Sequence, residues 1–321
     1  MNGTPPIFAV IGPTAVGKTG AGFELARRLR GEIISVDSRQ VYRYLDVGTD
    51  KISPSDRKIV PHHLIDVVDP DQVFTAADFV AQTEDAVKRI LARGRVPILV
   101  GGTPMYYRAL QGEMLSKDLP SDAELRAELL RQASEGGAPA LHTRLSEIDP
   151  ESASRIHPND KVRIVRALEI YQLSGLPASE LYASRGKIGG RREIYYFGID
   201  SPREILYERI ERRAAEQFRS GYPEEVEWLL AHGYSPELPA LQGFGYRELV
   251  LYLRGKCSFD EALRGDIRAT KIFARRQMNW FRGFNAKVWY DFSRISPFEA
   301  VDDMENRVIK VLNNKDERRP V

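Results

Sequence analysis

Eight consecutive residues constrain this chain more than any other stretch. Gly12-Pro-Thr-Ala-Val-Gly17-Lys18-Thr19 obeys the pattern G-x4-G-K-[ST]. It also sits where such a loop must sit, directly after the apolar run Ile7–Ile11 and before Gly20–Leu29, which has helical spacing. In that setting, backbone N–H groups converge on phosphate oxygens at a helix N-terminus, where the helix dipole adds positive potential. Lys18 brings a point charge, and the Thr19 hydroxyl can ligate Mg²⁺. The residues expected to bind diphosphate are therefore Gly12, Pro13, Thr14, Ala15, Val16, Gly17, Lys18 and Thr19, with Mg²⁺ as the cofactor.

The rest of the chain supplies the sheet that such a loop needs. Short apolar runs at Glu32–Val36, Val96–Val100, Ile194–Ile199 and Ala286–Tyr290 are rich in β-branched residues and do not alternate cleanly. Strands buried on both faces of a parallel sheet read this way. Helical patterns lie between them. Thr75 with Asp78 forms a capping box, Phe79, Ala86, Val87, Ile90 and Leu91 share a face, and Gly94 closes that helix. From about Ser116 to Arg192 the alternation stops. Helix signals continue there, at Asp122 onward and from Asp160 to Leu173, but no strand of comparable strength appears. The segment ends in a glycine-rich basic loop, Arg185–Arg192. The expected fold is α/β, a P-loop NTPase-like doubly wound parallel sheet with an all-helical insertion domain. Its divisions are core 1–115, insertion 116–192 and core 193–321.

Composition narrows the function classes. The 321 residues include 47 Lys+Arg against 45 Asp+Glu, so any polyanion must be met by segregated charge rather than by a polybasic tail. A single cysteine, Cys257, excludes a disulfide framework or a Cys-based zinc site within the chain. No run approaches the ~18 apolar residues of a membrane span. No basic region precedes the first apolar run, so no signal peptide is read, and a cytoplasmic location is expected.

A phosphate loop leaves three chemistries open: nucleotide hydrolysis coupled to motion, phosphoryl transfer, and transfer with diphosphate as leaving group. The strand Glu32–Val36 delivers Asp37 to its carboxyl end, where open α/β sheets build their sites, although a turn-capping role suits Asp37 equally well. The strand Val96–Val100 ends in Gly101-Gly102-Thr103, with no acid to hold a metal. His62 and His63 have no further His or Cys at ligand spacing and read as a packed loop. Positive charge gathers in three places. In the last long helix, about Glu261 to Arg282, residues Arg264, Arg268, Lys271, Arg275 and Arg282 form one stripe, with Asp266 as the only acid beyond Arg264. Leu263, Ile267, Ala274, Met278 and Phe281 form another stripe, suited to the core. The insertion adds Arg155, His157, Lys161, Arg163 and Arg166, and then the 185–192 loop. That segregation favours a nucleic acid over a small phosphorylated metabolite.

Taken together, these motifs resemble the tRNA dimethylallyltransferases, or tRNA isopentenyltransferases, of bacterial type. The matching segments, in family order, are GPTAVGKT (12–19), ISVDSRQVY (34–42), PHHLID (61–66), TAADF (75–79) and GGTPMY (101–106). They continue with RIHPND (155–160), RIVRALE (163–169), QGFGYRE (242–248) and ARRQMNWFR (274–282), so the resemblance covers nearly the whole chain. GGTPMY departs from the more usual Gly-Leu-Tyr version without removing a group assigned to chemistry.

The resemblance implies transfer of a dimethylallyl group from dimethylallyl diphosphate to N6 of the adenine 3′-adjacent to the anticodon. It makes Asp37 the base, with Thr19 serving the leaving group, and names Arg213 as the diphosphate clamp. Residue physics alone does not separate Arg213 from Arg209 or Arg212. It also assigns Asp37, Ser38, Arg39, Gln40, Thr103, Arg126, Val162, Arg163, Ile164, Val165, Arg166, Gln242, Gly243, Phe244, Gly245, Tyr246 and Arg247 to the tRNA anticodon stem-loop. A monomer is expected. The open alternatives are an adenylate isopentenyltransferase acting on free nucleotide and a small-molecule P-loop kinase.

Overall fold

Six strands pair in parallel in the order β3-β2-β4-β1-β5-β6. They are β1 (Ile7–Ile11), β2 (Glu32–Ser35), β3 (His62–His63), β4 (Pro97–Val100), β5 (Ile194–Asp200) and β6 (Ala286–Asp291). The computed structural model describes residues 6–112, 119–184 and 193–316. The helices between β1 and β5 are α1 (Lys18–Arg28), α2 (Pro54–Ile59), α3 (Ala76–Ala92), α4 (Pro104–Leu110), α5 (Ala123–Glu135), α6 (Ala138–Ile148), α7 (Pro150–Arg155), α8 (Lys161–Ser174) and α9 (Ala178–Ser184). After β5 come α10 (Arg203–Arg219), α11 (Tyr222–Ala231), α12 (Tyr246–Leu253) and α13 (Phe259–Phe281), and after β6 comes α14 (Pro297–Asp316).

The strand order does the positional work. β4 inserts between β2 and β1, in register Ile33↔Ile98 on one side and Phe8↔Ile98 on the other. The loops leaving β1, β4 and β2 therefore lie side by side at the carboxyl edge, which is where such sheets bind ligands. These loops carry Gly12–Thr19, Gly101–Thr103 and Asp37–Gln40. Both faces of the sheet are covered. Phe8, Val10, Ile98, Val100, Phe197 and Ile199 share one core with Leu25 of α1, Ile210 of α10 and Met304 of α14. The alternate residues Ile7, Ala9, Ile11, Ile34 and Leu99 are equally buried, and strand geometry turns them to the other face. At about 1.5–3 kcal/mol per fully buried large apolar side chain, two covered faces form the main stabilising store of the sheet.

Local signals hold where they are strong. α3 begins at the expected capping box, with the Thr75 side chain accepting from Asp78 N and Asp78 accepting from Thr75 N, and it buries Phe79, Val80, Ala86, Val87 and Ile90. β3 was not expected. It is two residues long and adds only an edge to β2, too little for a sequence pattern.

The chain divides into two compact units, residues 1–111 with 190–321, and residues 112–189. The second unit is built from α5 to α9 around Leu129, Leu145, Ile164, Val165, Leu168 and Ile170. Two buried carboxylates tie it together. Asp149 accepts from Ser152 N, Ser179 N and Ser179 Oγ. Glu169, fully buried, receives Arg126, Arg166 and the Asp122 N–H. The basic loop 185–192 lies outside the described residues.

Candidate active site

The phosphate loop has the backbone of an anion nest. Gly17 caps α1 at φ 104°, a left-handed conformation that favours glycine, and Ala15 adopts φ 61°. Lys18 folds back so that its Nζ donates to Pro13 O at 2.5 Å. It faces a cavity of about 520 Å³ lined by Thr14, Ala15, Gly17, Lys18, Thr19, Asp37, Ser38, Arg39, Gln40, Thr49, Asp50, Gly101, Gly102, Thr103, Arg209, Arg212, Arg213, Phe244, Tyr246, Phe273 and Gln277, among others. Burial, helped by the Arg213 charge and opposed by Asp37 and Asp50, pulls the Lys18 ammonium down to a pKa of about 7. Burial is the larger cause, so an anion placed beside Lys18 would favour its charged form.

α10 supplies the other cations. Arg213 donates to Thr14 Oγ1 at 2.8 Å and reaches Asp50 Oδ2 at 3.4 Å, whereas Arg209 donates to Val16 O at 3.3 Å. Arg212 lines the cavity but lies exposed, with no protein partner among the described residues. One helical turn from Arg209 to Arg213 therefore spans the loop. Only Arg213 bonds a side chain of the loop.

The two readings of Asp37 turn out to be compatible. Its Oδ1 accepts from Arg39 N at 2.8 Å and Gln40 N at 3.3 Å, an Asx-type turn that fixes the carboxylate. Among the described residues, no group bonds its second oxygen, and the residue lines the cavity. Thr103 joins the site from β4, its hydroxyl accepting from Ser38 N at 3.2 Å. Gln40 donates to Thr49 O, which secures the 49–50 segment.

Several expected RNA contacts need correction. Ile164 and Val165 are core residues of the helical unit, buried on the inner face of α8, so their side chains are withdrawn from any RNA. Val162, 72% exposed, and Arg163 occupy the outer face of the same helix. The insertion's cations are largely spent inside their own unit: Arg155 on Glu151, Arg163 on Asp160, and Arg126 and Arg166 on Glu169. The Arg39 guanidinium donates to Pro239 O and Ala240 O and packs against Gly243, so it anchors the 239–243 loop. Tyr246 is buried and donates to Glu225. In that segment Gln242 and Arg247 are exposed, Phe244 stacks obliquely on Phe273, and Gly245 N is capped by Glu248.

α13 also differs from its expected face. It buries Ala262, Asp266, Thr270, Ala274, Gln277, Met278 and Phe281, so Leu263 and Ile267 are only half-buried. Asp266 turns inward and bonds Thr270, and burial raises its pKa to about 6. The single acid counted against the stripe is thus absent from the surface. Arg264, Arg268, Arg275 and Arg282 are exposed without an ion pair among the described residues, whereas Lys271 binds Glu211. Of the histidine pair, His62 bonds Val60 O and lines the cavity, and His63 bonds Glu32. Among the described residues, no group of three or more His, Cys, Asp or Glu is arranged for a metal ion.

Sequence reasoning passed over two features. Glu225 accepts from the N–H groups of Asp46, Val47 and Gly48 and holds that loop against the cavity. Gln277 interrupts the apolar side of α13, and that interruption was the available signal.

The chain is similar to known proteins of one family. A model of the family described as IPP transferase matches residues 40–284. The tRNA dimethylallyltransferase 1 of Syntrophotalea carbinolica is 46% identical over 288 residues, covering 89% of this chain and 91% of its own. The tRNA dimethylallyltransferase of Symbiobacterium thermophilum is 42% identical over 310 residues, covering 97% and 96%. Among solved structures, the tRNA isopentenylpyrophosphate transferase of Bacillus halodurans superposes with a TM-score of 0.72 at 36% identity, covering 98% of this chain and 99% of its own. A eukaryotic dimethylallyltransferase acting on tRNA gives 0.78 at 25% identity, covering 99% and 81%.

Proposed function

Because this chain belongs to the IPP transferase family, we propose that it is a tRNA dimethylallyltransferase. In this reading it moves the dimethylallyl group of dimethylallyl diphosphate to N6 of the adenine 3′-adjacent to the anticodon and releases diphosphate. The observation that carries the reading is a single cavity that joins a phosphate loop, Arg213 and the open oxygen of Asp37. A phosphate loop alone fits many enzymes. A carboxylate that is held in a turn yet keeps one oxygen free beside it fits proton removal.

The chemistry balances on these groups. The allylic C–O bond breaks and its electron pair leaves with diphosphate, while the N6 lone pair forms the C–N bond and N6 gives up a proton. An amine conjugated to a purine is a weak nucleophile, so the proton must leave as the bond forms, and Asp37 Oδ2 accepts it. Negative charge grows on the departing oxygens. The N–H groups of Ala15–Thr19, Lys18 and Arg213 face that charge, oriented before it forms. Mg²⁺ fits the donor set, since it commonly needs one or two protein oxygens with phosphate and water completing the shell. The Thr19 hydroxyl would hold it, and the ion would neutralise leaving-group charge.

The adenine must leave its stack to bring N6 to Asp37 beside the phosphate loop. Ser38, Gln40, Thr103, Gln242, Phe244 and Arg247 receive the flipped base and its neighbours, while Val162 and the arginines Arg126, Arg163 and Arg166 of the helical unit hold the anticodon arm, their ion pairs fixing the guanidinium groups without burying them. The exposed cations of α13 meet phosphates. The enzyme works as a monomer in the cytoplasm, where its substrate is, and among the described residues no helix is long and apolar enough to cross a membrane.

Labelled dimethylallyl diphosphate, offered in parallel to an anticodon stem-loop and to AMP, tests the reading. Product on the stem-loop with little on AMP is expected. Efficient AMP prenylation without RNA product would give the chain to the adenylate enzymes and overturn the tRNA assignment.

A further inference from the structure

The side chain of Gln277 is 4% exposed on the buried face of α13, in a row otherwise filled mainly by Ala274, Met278 and Phe281. A carboxamide in such a row costs free energy unless its hydrogen bonds are made. They are made to two separate parts of the active site. Its Oε1 accepts from the backbone N–H of Thr14, in the phosphate loop, at 2.8 Å. Its Nε2 donates to the carbonyl of Gly102, in the turn that presents Thr103.

Neither bond is local. Thr14 and Gln277 are 263 residues apart, and Gly102 and Gln277 are 175 apart. The two elements held by one amide sit on adjacent strands, β1 and β4. Gly102 lets the amide approach. A Cβ there would fall 2.4 Å from Gln277 Nε2 and 3.6 Å from Lys18 Nζ. The close atom is the far end of a flexible side chain, so an alanine at 102 can be accommodated by swinging the Gln277 amide away. The fold survives that change, but the bridge does not.

Resting on the diphosphate reading above, we propose that Gln277 is a positioning residue: its carboxamide presets the phosphate loop and the Gly102–Thr103 turn as one unit for the leaving diphosphate. The consequence follows from which groups it holds. With the Thr14 N–H taken by Gln277 and the Thr14 hydroxyl taken by Arg213, the first half of the loop is fixed before ligand arrives. The loop's ordering cost is then met in folding rather than in binding. A loop without the bridge must order itself around diphosphate, and affinity for the anion falls.

The test uses Gln277→Met, close in size but without the two amide partners, together with Gly102→Ala and the double variant. Measured quantities are Ki for inorganic diphosphate, KM for dimethylallyl diphosphate, kcat, Kd for an anticodon stem-loop, and Tm. Each single variant is expected to raise Ki and KM about ten- to a hundredfold, the range for stranding buried hydrogen-bonding groups. Stem-loop Kd should change less than Ki for diphosphate, since Thr103 is one RNA contact of several, and the double variant should be no worse than the worse single, because both remove one link. Additive losses, or a Gln277→Met enzyme with wild-type Ki for diphosphate, would overturn the inference. Loss confined to kcat or Tm would overturn it too, since that pattern marks a catalytic or merely structural role. A wild-type protein that makes no prenylated RNA and does not bind diphosphate would instead remove the donor reading, and this inference with it.

Discussion

Diphosphate binding beside Lys18 is expected to take up a proton. The Lys18 ammonium has a pKa of about 7 in the free protein, lowered first by burial and then by Arg213. A bound diphosphate places several negative charges beside it and raises that pKa, so the complex carries a proton that the free protein has partly lost. The sign is then fixed: affinity for the donor falls as pH rises through 7, until the pKa of the complex is reached. At pH 8 about nine in ten free molecules have a neutral lysine, so binding should be about tenfold weaker than its low-pH limit, or about 1.4 kcal/mol. The terminal phosphate of an alkyl diphosphate loses its last proton near pH 6, so at pH 8 dimethylallyl diphosphate itself contributes little, whereas inorganic diphosphate still carries a proton there. Calorimetric titration with dimethylallyl diphosphate at pH 8, without RNA and in buffers of different ionisation enthalpy, should show uptake of about 0.9 proton per site. Gln and Met at position 18 should abolish it. Uptake below about 0.3 proton in a wild-type protein that binds normally would refute a lysine poised near neutrality.

Asp37→Asn keeps the turn acceptor but cannot take the N6 proton, so single-turnover transfer should fall ~10²–10⁴-fold with stem-loop affinity retained. A rate within threefold of wild type would remove Asp37 from the base role. Thr19→Ala should raise the Mg²⁺ concentration needed for half-maximal rate, and an unchanged Mg²⁺ titration would count against the hydroxyl as a ligand. Arg268→Glu with Arg275→Glu, on the unpaired face of α13, should weaken RNA binding and lower the slope of log K against log salt by about 0.7–0.9 for each phosphate no longer neutralised. Unchanged affinity and slope in the folded double variant would return those arginines to a solvated surface. Glu169→Leu strands Arg126 and Arg166 and the Asp122 N–H, and should cost about 2–3 kcal/mol of helical-unit stability. Denaturant unfolding that matches wild type would contradict the part given to that carboxylate.

Features set by near neighbours in the chain were legible in the sequence. The phosphate loop is a strand, a turn and a helix in direct succession, and its nest geometry follows from residues at fixed spacing. The capping box of α3 closes over three residues, Thr75 to Asp78, and needs nothing from outside the helix. The matched motifs carried the family for the same reason, because each is contiguous. Tertiary structure decided what distant residues do to one another. The strand order β2-β4-β1 puts Asp37, Thr103 and the phosphate loop along one edge, and no spacing in the sequence specifies that order. Arg213 is distinguished from Arg209 and Arg212 by meeting Thr14, 199 residues earlier. The resemblance assigns Ile164 and Val165 to RNA, and Asp266 sits in a basic stretch, yet packing turns each inward. Gln277 is a polar residue beside Ala274, Met278 and Phe281 with no visible role until Thr14 and Gly102 are folded against it. A hydrogen bond is local in space, and only the folded chain makes residues hundreds of positions apart into neighbours.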